Sequence, residues 1–379
     1  MYQEIDCLYR SGKRRYYAIM RVMKLREIGE FELIERMAGI FRREDAVAGK
    51  AAAAFSRLAV GIGDDAAIWE EVGGSFAIAT VDAMVEGVHF TGATTDWYDL
   101  GWKAMASNIS DIAGMGGAPS YALVALGARG DQEVEAVLDF CRGMASISAS
   151  YGVAVVGGDT VSSPLTMVSI TLLGQTTGGR RPDGSLPVLS RFEAKPGELV
   201  AVTGQIGSSA GGLDLLLHRQ RPLPERFKPL LDAHRRPMPR VQEGQLLVKA
   251  GLRCGMDLSD GLVGDLTRIC RASGVAAEID VEKLPIDPLL IEAVGERATE
   301  LALSGGEDYE LLCTGPAEVL EQARLLLDSI GTPLTIVGRL DEPVAGRLPI
   351  TLIDAEGRAY SPKKSGWEHF STDGSATGG

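Results

Sequence analysis

The chain has 379 residues, too many for one ordinary hydrophobic core, so two domains are expected. It is 45% hydrophobic and 23% charged, as in globular proteins, and it has no run of about 18 apolar residues that would predict a membrane span. The net charge of −13 argues against a nucleic-acid partner, although an acidic protein still binds anionic substrates when metal ions supply positive charge.

Strands and helices alternate through the first half of the chain. Residues 1–24 form a basic extension without the apolar stretch of a signal peptide, and we expect it to be disordered. Apolar residues at roughly helical spacing from Ile28 to Met37 predict a helix. The following patterns predict strands over 58–62, 76–81, 85–90, 121–127, 153–156 and 167–175, and helices over 100–115 and 134–151.

A change in composition marks a boundary near the middle of the chain. Residues 176–187 are rich in Gly, Arg and Pro and show no periodicity, which is typical of a connection between domains. Beyond it, a strand is predicted over 199–203, and helices over 209–218, 260–272 and 316–330. Strands alternate with helices in both halves, so two α/β domains are predicted. The predicted organisation is an N-terminal domain over 25–178, a linker over 179–191, a C-terminal domain over 192–345 and a tail over 346–379.

Carboxylates stand beside glycines or hydroxyl residues at the ends of several predicted strands. Magnesium prefers such oxygen ligands together with phosphate oxygens and water, and glycine lets backbone N–H groups approach a phosphate. No Walker A loop is present to bind phosphate in another way. The segments are Gly61–Asp65, Thr80–Asp82, Asn108–Asp111, Gly157–Thr160 and Asp257–Gly261, with Ser304–Asp308 as a sixth of similar kind.

Each of these segments has an alternative interpretation. A single Gly-Asp sequence is more often a turn closed by an Asp side chain than a metal site. Five such segments together, in a chain without another catalytic motif, favour metal and phosphate binding.

The same segments carry a resemblance to a known family. The chain resembles the thiamine-monophosphate kinase family, of the superfamily that includes aminoimidazole-ribonucleotide synthetase and selenophosphate synthetase. The match extends in order from about Leu25 to Phe370 and ends in a Trp-Glu-His-Phe sequence. Its most specific motif is Ser-Gly-Gly-Glu-Asp-Tyr-Glu-Leu, at residues 304–311.

The resemblance implies a fold, an activity and a set of site residues. It implies a two-domain aminoimidazole-ribonucleotide-synthetase-like α/β fold, whose N-terminal sheets pair into a barrel in a homodimer. It implies direct in-line transfer of phosphate from ATP to thiamine monophosphate, assisted by several Mg²⁺ ions. The implied metal ligands are Asp65, Thr80, Asp82, Asp111, Asp159, Asp257 and Asp260, with Asp82, Asp111 and Asp260 as the catalytic group. The implied ATP contacts are Gly158, Asp159, Arg191 and Ser259, and the implied substrate contacts are His89, Glu307 and Trp367.

Several alternatives remain open at this stage. Arg180 or Arg181 could reach ATP in place of Arg191, and Ser259 could cap a helix that begins at Asp260. Another ATP-using member of the superfamily is a second possibility, but a selenophosphate synthetase would need a reactive Cys followed by Lys, and Cys7 is followed by Leu. A non-catalytic nucleotide- or ion-binding protein is a third.

The cysteine pattern predicts the redox state of the compartment in which the protein is found. The chain has five, scattered and without a C-x-x-C pair, which favours reduced thiols and a cytoplasmic protein.

Overall fold

The computed structural model describes residues 27–41, 52–218, 223–362 and residue 366. The helices are α1 Gly29–Phe41, α2 Ala52–Phe55, α3 Trp97–Gly114, α4 Val134–Tyr151, α5 Ser208–His218, α6 Lys228–Arg235, α7 Val241–Ala250, α8 Leu262–Ser273, α9 Pro288–Val294, α10 Arg297–Ser304 and α11 Ala317–Asp328. The strands are β1 Leu58–Val60, β2 Ala67–Glu70, β3 Phe76–Val85, β4 Ala118–Ala128, β5 Ala154–Ser162, β6 Met167–Gln175, β7 Leu199–Thr203, β8 Cys254–Asp257, β9 Ala276–Asp280, β10 Leu311–Gly315, β11 Leu334–Asp341, β12 Ile350–Ile353 and β13 Ala359–Tyr360.

The N-terminal domain is built on a six-stranded mixed sheet in the order β1-β2-β3-β6-β4-β5. Only the β4–β5 pair is parallel among its described strands. Side chains on one face, among them Ile78 and Ile170, are buried in a core shared with α3 and α4. The other face carries exposed side chains, because alternate residues of a strand point to opposite sides.

Helix α3 is the central element of the molecule. The side chain of Asp96 caps its N-terminus by accepting a hydrogen bond from the backbone N–H of Asp99 at 2.8 Å. Fourteen of its 18 residues are buried, because the sheet lies on one side and α4 and α7 lie on others. At its C-terminal end, the backbone of Ala113 lies so close to Gly244 of α7 that a Cβ atom there would approach the Ala113 oxygen to 2.2 Å. The helix therefore belongs to the N-terminal domain and also contacts the C-terminal one.

The C-terminal domain is built on a seven-stranded mixed sheet in the order β13-β12-β9-β11-β7-β10-β8. Its described pairs are antiparallel except for β9 and β12. Helix α8 packs on the sheet through Leu266 and Ile269, both fully buried. Strand β8 ends at Asp257, close to the C-terminal end of α3. The predicted two-domain α/β fold is confirmed, and both sheets are mixed.

Most predicted elements are present, and two predictions are wrong. Strand β3 continues from Phe76 to Val85, so the predicted break after Val81 is absent, and residues 86–90 form a turn instead of a second strand. Strand β5 extends to Ser162 and includes the Gly157–Thr160 motif, which the sequence predicts at a strand end. The described residues contain no helix that combines the length and apolar character needed to cross a membrane.

Candidate active site

Carboxylates from both domains meet at the C-terminal end of α3. The hydroxyl of Thr80, on β3, donates hydrogen bonds to Oδ2 of Asp111 and, at 3.3 Å, to the backbone oxygen of Asp65. Asp82 lies two residues further along β3, and its backbone N–H donates a hydrogen bond of 3.1 Å to Oδ1 of Asn108 on α3. Strand β3 and helix α3 thus hold three of the implied metal ligands, Thr80, Asp82 and Asp111, in one place.

Asp257 completes this group from the C-terminal domain. Its side chain is buried, and its Oδ2 accepts a hydrogen bond of 2.6 Å from the hydroxyl of Ser110 on α3. Gly114, at the C-terminal end of α3, packs directly against Asp65 and Asp257. A Cβ atom on residue 114 would lie 2.7 Å from Oδ2 of Asp65 and 2.9 Å from the backbone nitrogen of Asp257. Glycine is therefore required at residue 114, and Asp65 and Asp257 lie side by side. We call Asp65, Asp82, Asp111 and Asp257 the acidic cluster.

The acidic cluster concentrates negative charge in a poorly hydrated place. Burial, followed by the charges of Asp82 and Asp257, raises the pKa of Asp111 well above its usual range. Burial, followed by the charge of Asp65, likewise raises the pKa of Asp257. Such shifts arise where like charges share a site that lacks enough cations.

Arg191 lies against the acidic cluster from the linker. Its guanidinium pairs with Asp65, and its backbone N–H approaches Oδ2 of Asp64 at 3.3 Å. Asp64 also accepts a hydrogen bond of 2.7 Å from the hydroxyl of Ser190, while burial raises its pKa to about 6. A cavity of about 470 Å³ opens beside this turn and is lined in part by Gly61 and Ser190.

The other two linker arginines have structural contacts. Arg180 pairs with Glu70 at 3.3 Å, and Arg181 donates to the backbone oxygens of Gly251 and Leu252 at 3.1 and 2.7 Å. Arg181 therefore satisfies carbonyl groups just after the end of α7, as basic residues commonly do. Of the three arginines, Arg191 is the one that contacts the acidic cluster.

Ser259 and Asp260 lie in a turn that is fixed by residues of α8. The backbone N–H groups of both donate to Oδ2 of Asp265 at 3.1 Å, and Arg268 pairs with Asp260 and Asp265. The possibility that Ser259 caps a helix from Asp260 is wrong, because α8 begins at Leu262 with Gly261 as its cap. The turn is instead positioned by the buried carboxylate of Asp265.

Gly158 and Asp159 lie apart from the acidic cluster. Gly158 is aligned with Asp82 across the sheet, through Ile170 on β6 and Val124 on β4. It is three strands from Asp82, about 14 Å at the usual strand spacing. Asp159 follows Gly158 in β5, so its side chain points to the face opposite that of Asp82, and all nine residues of β5 are exposed. Gly158 also has a structural reason to be glycine, since a Cβ would lie 1.8 Å from the backbone oxygen of Val124.

Two of the three implied substrate residues, His89 and Glu307, lie among the described residues. His89 is half-buried, and its Nδ1 accepts a hydrogen bond of 3.0 Å from the backbone N–H of Val85. Glu307 accepts a hydrogen bond of 2.6 Å from the buried amine of Lys103. Trp367 lies outside the described residues, so its role stays a prediction.

Several residues of the site were not singled out from the sequence. Asp64 was visible beside Asp65 but was not assigned a role. Ser110 lies within the Asn108–Asp111 segment but was likewise not assigned a role, whereas Lys103, Asp265 and Arg268 lie in helices and gave no motif signal. Among the described residues, no three His, Cys, Asp or Glu side chains form a ready-made cation site by themselves.

Comparison with known proteins identifies the two domains. Residues 63–176 match the N-terminal domain, and residues 195–348 the C-terminal domain, of AIR synthase related proteins. The thiamine-monophosphate kinase of Bacillus subtilis is 36% identical over 318 residues, which cover 83% of this chain and 94% of that protein. The enzyme of the same name from Escherichia coli K12 is 34% identical over 348 residues, which cover 91% of this chain and 99% of that protein.

A solved structure gives the same result. AaThiL complexed with AMPPCP and TMP superposes with a TM-score of 0.76 at 32% identity, covering 92% of this chain and 99% of that one. Both domains and nearly the full length of these relatives are thus matched. The chain belongs to the thiamine-monophosphate kinase family.

Proposed function

We propose that this protein transfers the γ-phosphoryl group of ATP in line to the phosphate of thiamine monophosphate, with Mg²⁺ ions bound at the acidic cluster. Family membership makes the chain an ATP-dependent kinase that forms thiamine diphosphate. The metal, the residue roles and the assembly are the proposed part. One observation supports them most directly, namely that carboxylates from both domains converge at the end of α3.

The donor set of the acidic cluster fits magnesium. Its oxygens are carboxylates, with the hydroxyl of Thr80 beside them, and Oδ2 of Asp65 is buried without a hydrogen-bond partner among the described residues. The residues that would hold the metal are Asp65, Thr80, Asp82, Asp111 and Asp257, with Asp260 at the edge. Because these groups do not enclose a cation alone, substrate phosphate oxygens and water would complete the coordination. Bound Mg²⁺ would neutralise the negative charge of the two phosphate groups that must approach each other.

The acceptor phosphate needs no general base. Its second pKa is about 6, so its attacking oxygen is already deprotonated at neutral pH. The protein's own residues therefore act mainly by positioning, which dominates phosphoryl-transfer catalysis. Arg191 would exchange its contact with Asp65 for a nucleotide phosphate, and the turn held by Asp265 would present Ser259 to ATP.

We also propose that the protein is a homodimer whose sheets pair through their open faces. Large apolar side chains on this face are between 36% and 60% exposed, more than an isolated domain usually leaves together. A partner would cover them and would bring Asp159 of the exposed strand β5 to a neighbouring site. The residues are Val81, Tyr121, Leu123, Val161 and Leu173. A monomeric mass by light scattering would refute this assembly.

The first experiment measures ADP release from ATP and Mg²⁺ with and without thiamine monophosphate. We expect release that depends on the acceptor, with thiamine diphosphate detected by chromatography. Acceptor-independent hydrolysis, or no product from folded protein, would contradict the proposed reaction. Omission of Mg²⁺ should abolish product formation, and an undiminished rate in chelator would contradict the metal assignment alone.

A further inference from the structure

Lys103 is a buried charged residue that the proposed reaction does not yet use. It lies in the middle of α3, its side chain is fully buried, and its Nζ is 2.6 Å from Oε2 of Glu307 in the C-terminal domain. Burying an ammonium group is costly unless a partner compensates it. Among the described residues, Glu307 is the one carboxylate within ion-pair distance of Lys103.

The surroundings of Lys103 direct its charge to Glu307. His234 of α6 is 2% exposed and lies 3.4 Å from Nζ of Lys103. Burial, followed by the charge of Lys103, lowers the pKa of His234 well below its usual range, so the ring is neutral. Its Nδ1 also lies 3.2 Å from the hydroxyl of Ser209. Nδ1 of His234 also lies 3.4 Å from Oε2 of Glu307, but a neutral ring leaves the ammonium group of Lys103 as the cation that faces this carboxylate.

The backbone of Glu307 is held in a rare conformation. Its φ angle is 67°, in the left-handed region that residues other than glycine seldom adopt. Its N–H donates to the backbone oxygen of Ser259 at 2.8 Å, and the N–H of Tyr309 donates to that of Leu258 at 2.9 Å. These contacts fix the loop against the turn that precedes α8. Such conformations persist where the surrounding structure enforces them, often at functional sites.

Helix α3 connects this ion pair with the acidic cluster. Lys103 and Asp111 are eight residues apart, slightly more than two turns, which corresponds to about 12 Å along the axis. The helix thus sets a fixed separation between the phosphate-transfer end of the site and Glu307.

We propose that Lys103 is a positioning residue that orients Glu307 toward the pyrimidine ring of thiamine monophosphate. Because α3 fixes the distance between the acidic cluster and Glu307, the site matches the distance between the phosphate and the pyrimidine ring of this substrate. This inference rests on the proposed function, because it assumes that the phosphate lies at the acidic cluster. Substrates that lack the distant ring gain nothing from Glu307. The protein therefore selects the full-length substrate over a shorter phosphate ester.

The test compares two acceptors. One is thiamine monophosphate, and the other is 4-methyl-5-(2-phosphoethyl)thiazole, which keeps the phosphate and the thiazole ring but lacks the pyrimidine. Lys103→Met should lower kcat/KM for thiamine monophosphate by about tenfold or more, mainly through KM, because a charge-assisted hydrogen bond no longer orients Glu307. It should leave kcat/KM for the short acceptor within about twofold. If the wild-type protein does not phosphorylate the short acceptor, its competitive inhibition constant replaces kcat/KM.

Two further variants distinguish a loss of Glu307 orientation from a general folding defect. Lys103→Arg keeps the buried charge but moves its donors, so it should shift the preference in the same direction by a smaller factor. Arg297→Met removes another ion pair, with Asp214 at 2.7 Å, and should leave the preference between the two acceptors unchanged.

The outcomes separate this inference from the proposed function. Equal losses for both acceptors, or an unchanged preference in both Lys103 variants, would overturn the role of Lys103 while the kinase activity stands. If the wild-type protein forms no thiamine diphosphate, the proposed function itself fails. A preference that falls only for the full-length acceptor supports the inference.

Discussion

Two buried acidic regions of this molecule balance their charge in different ways. Around Glu310, Arg240 donates two hydrogen bonds of 2.6 and 2.7 Å, and the hydroxyl of Thr203 donates a third at 2.7 Å. The same arginine also reaches Glu243 at 3.3 Å. A planar guanidinium that pairs with a carboxylate through two bonds is a complete and rigid arrangement.

The acidic cluster is not balanced in this way. Four aspartates share the site, and Arg191 is the arginine that pairs directly with one of them, Asp65. Buried negative charge without enough positive charge destabilises a fold. The comparison indicates that the Glu310 region serves the structure, whereas the acidic cluster accepts this cost in order to bind cations and phosphate.

The largest expected effect concerns activity. Asp111→Asn should lower kcat on the order of 10³-fold, because it removes charge from the proposed metal site. Its thermal unfolding temperature should stay equal or rise, since the substitution relieves repulsion with Asp82 and Asp257. Steady-state kinetics and thermal unfolding of the same preparation check both statements. Near-normal turnover in Asp111→Asn and in Asp82→Asn would contradict the metal assignment.

Arg240→Met should have the opposite profile. It leaves Glu310 buried without the arginine that pairs with it, which should lower the free energy of unfolding by about 3–5 kcal/mol. The kcat of the remaining folded protein should change little, because the side-chain hydrogen bonds of Arg240 within the described part of the chain go to the structural carboxylates Glu310 and Glu243. Chemical denaturation measures the loss. A stable variant with a large fall in kcat would mean that the two regions are coupled.

The pH dependence of stability sharpens the comparison further. Asp111 and Asp257 have raised pKa values in the folded chain, and burial raises the pKa of Asp265 and of Asp308 to about 7. In the unfolded state these aspartates titrate at about 4, so between pH 4 and 7 the folded state binds more protons than the unfolded state. The free energy of unfolding therefore falls as pH rises from about 4 through 7. Added Mg²⁺ should restore more stability at pH 8 than at pH 5.

Thermal unfolding in chelator and in Mg²⁺ across this range provides the measurement. Asp111→Asn should flatten the pH dependence of the metal-free protein. A metal-free unfolding temperature that rises between pH 5 and pH 8 would contradict the raised pKa values.

The fold was largely predictable because its signals are local. Clear hydrophobic periodicity and clear ends predict the end of a strand at Gln175, the strand Leu199–Thr203 and the helix Val134–Tyr151. The structure contains all three. The predicted break in β3 was wrong because Asp82 is a single charged residue within an apolar run. In the fold its side chain belongs to the acidic cluster, and its backbone N–H donates to Oδ1 of Asn108 on α3.

The site was predictable where carboxylates stand in motifs and unpredictable where helices supply partners. Asp65, Asp111 and Asp257 could be named from the sequence, and the structure brings them together. Lys103 could not, because a lysine inside an apolar helix looks like a side chain that reaches solvent. Its role depends on Glu307, 204 residues away in the chain. Only the packing of α3 between the domains reveals such contacts.

The smallest expected effect tests how finely α3 supports the acidic cluster. Ser110→Ala removes the hydrogen bond of 2.6 Å to Asp257 and should lower kcat about tenfold, because the carboxylate loses its orientation but keeps its charge. Ser107→Ala is the matched control, since that hydroxyl is equally buried on the same helix and donates to the backbone oxygen of Ala104 at 3.2 Å. Steady-state kinetics at saturating Mg²⁺ compares them. If both serine variants lose the same activity, the helix matters only as a scaffold; if Ser110→Ala alone loses activity, the orientation of Asp257 contributes to the reaction.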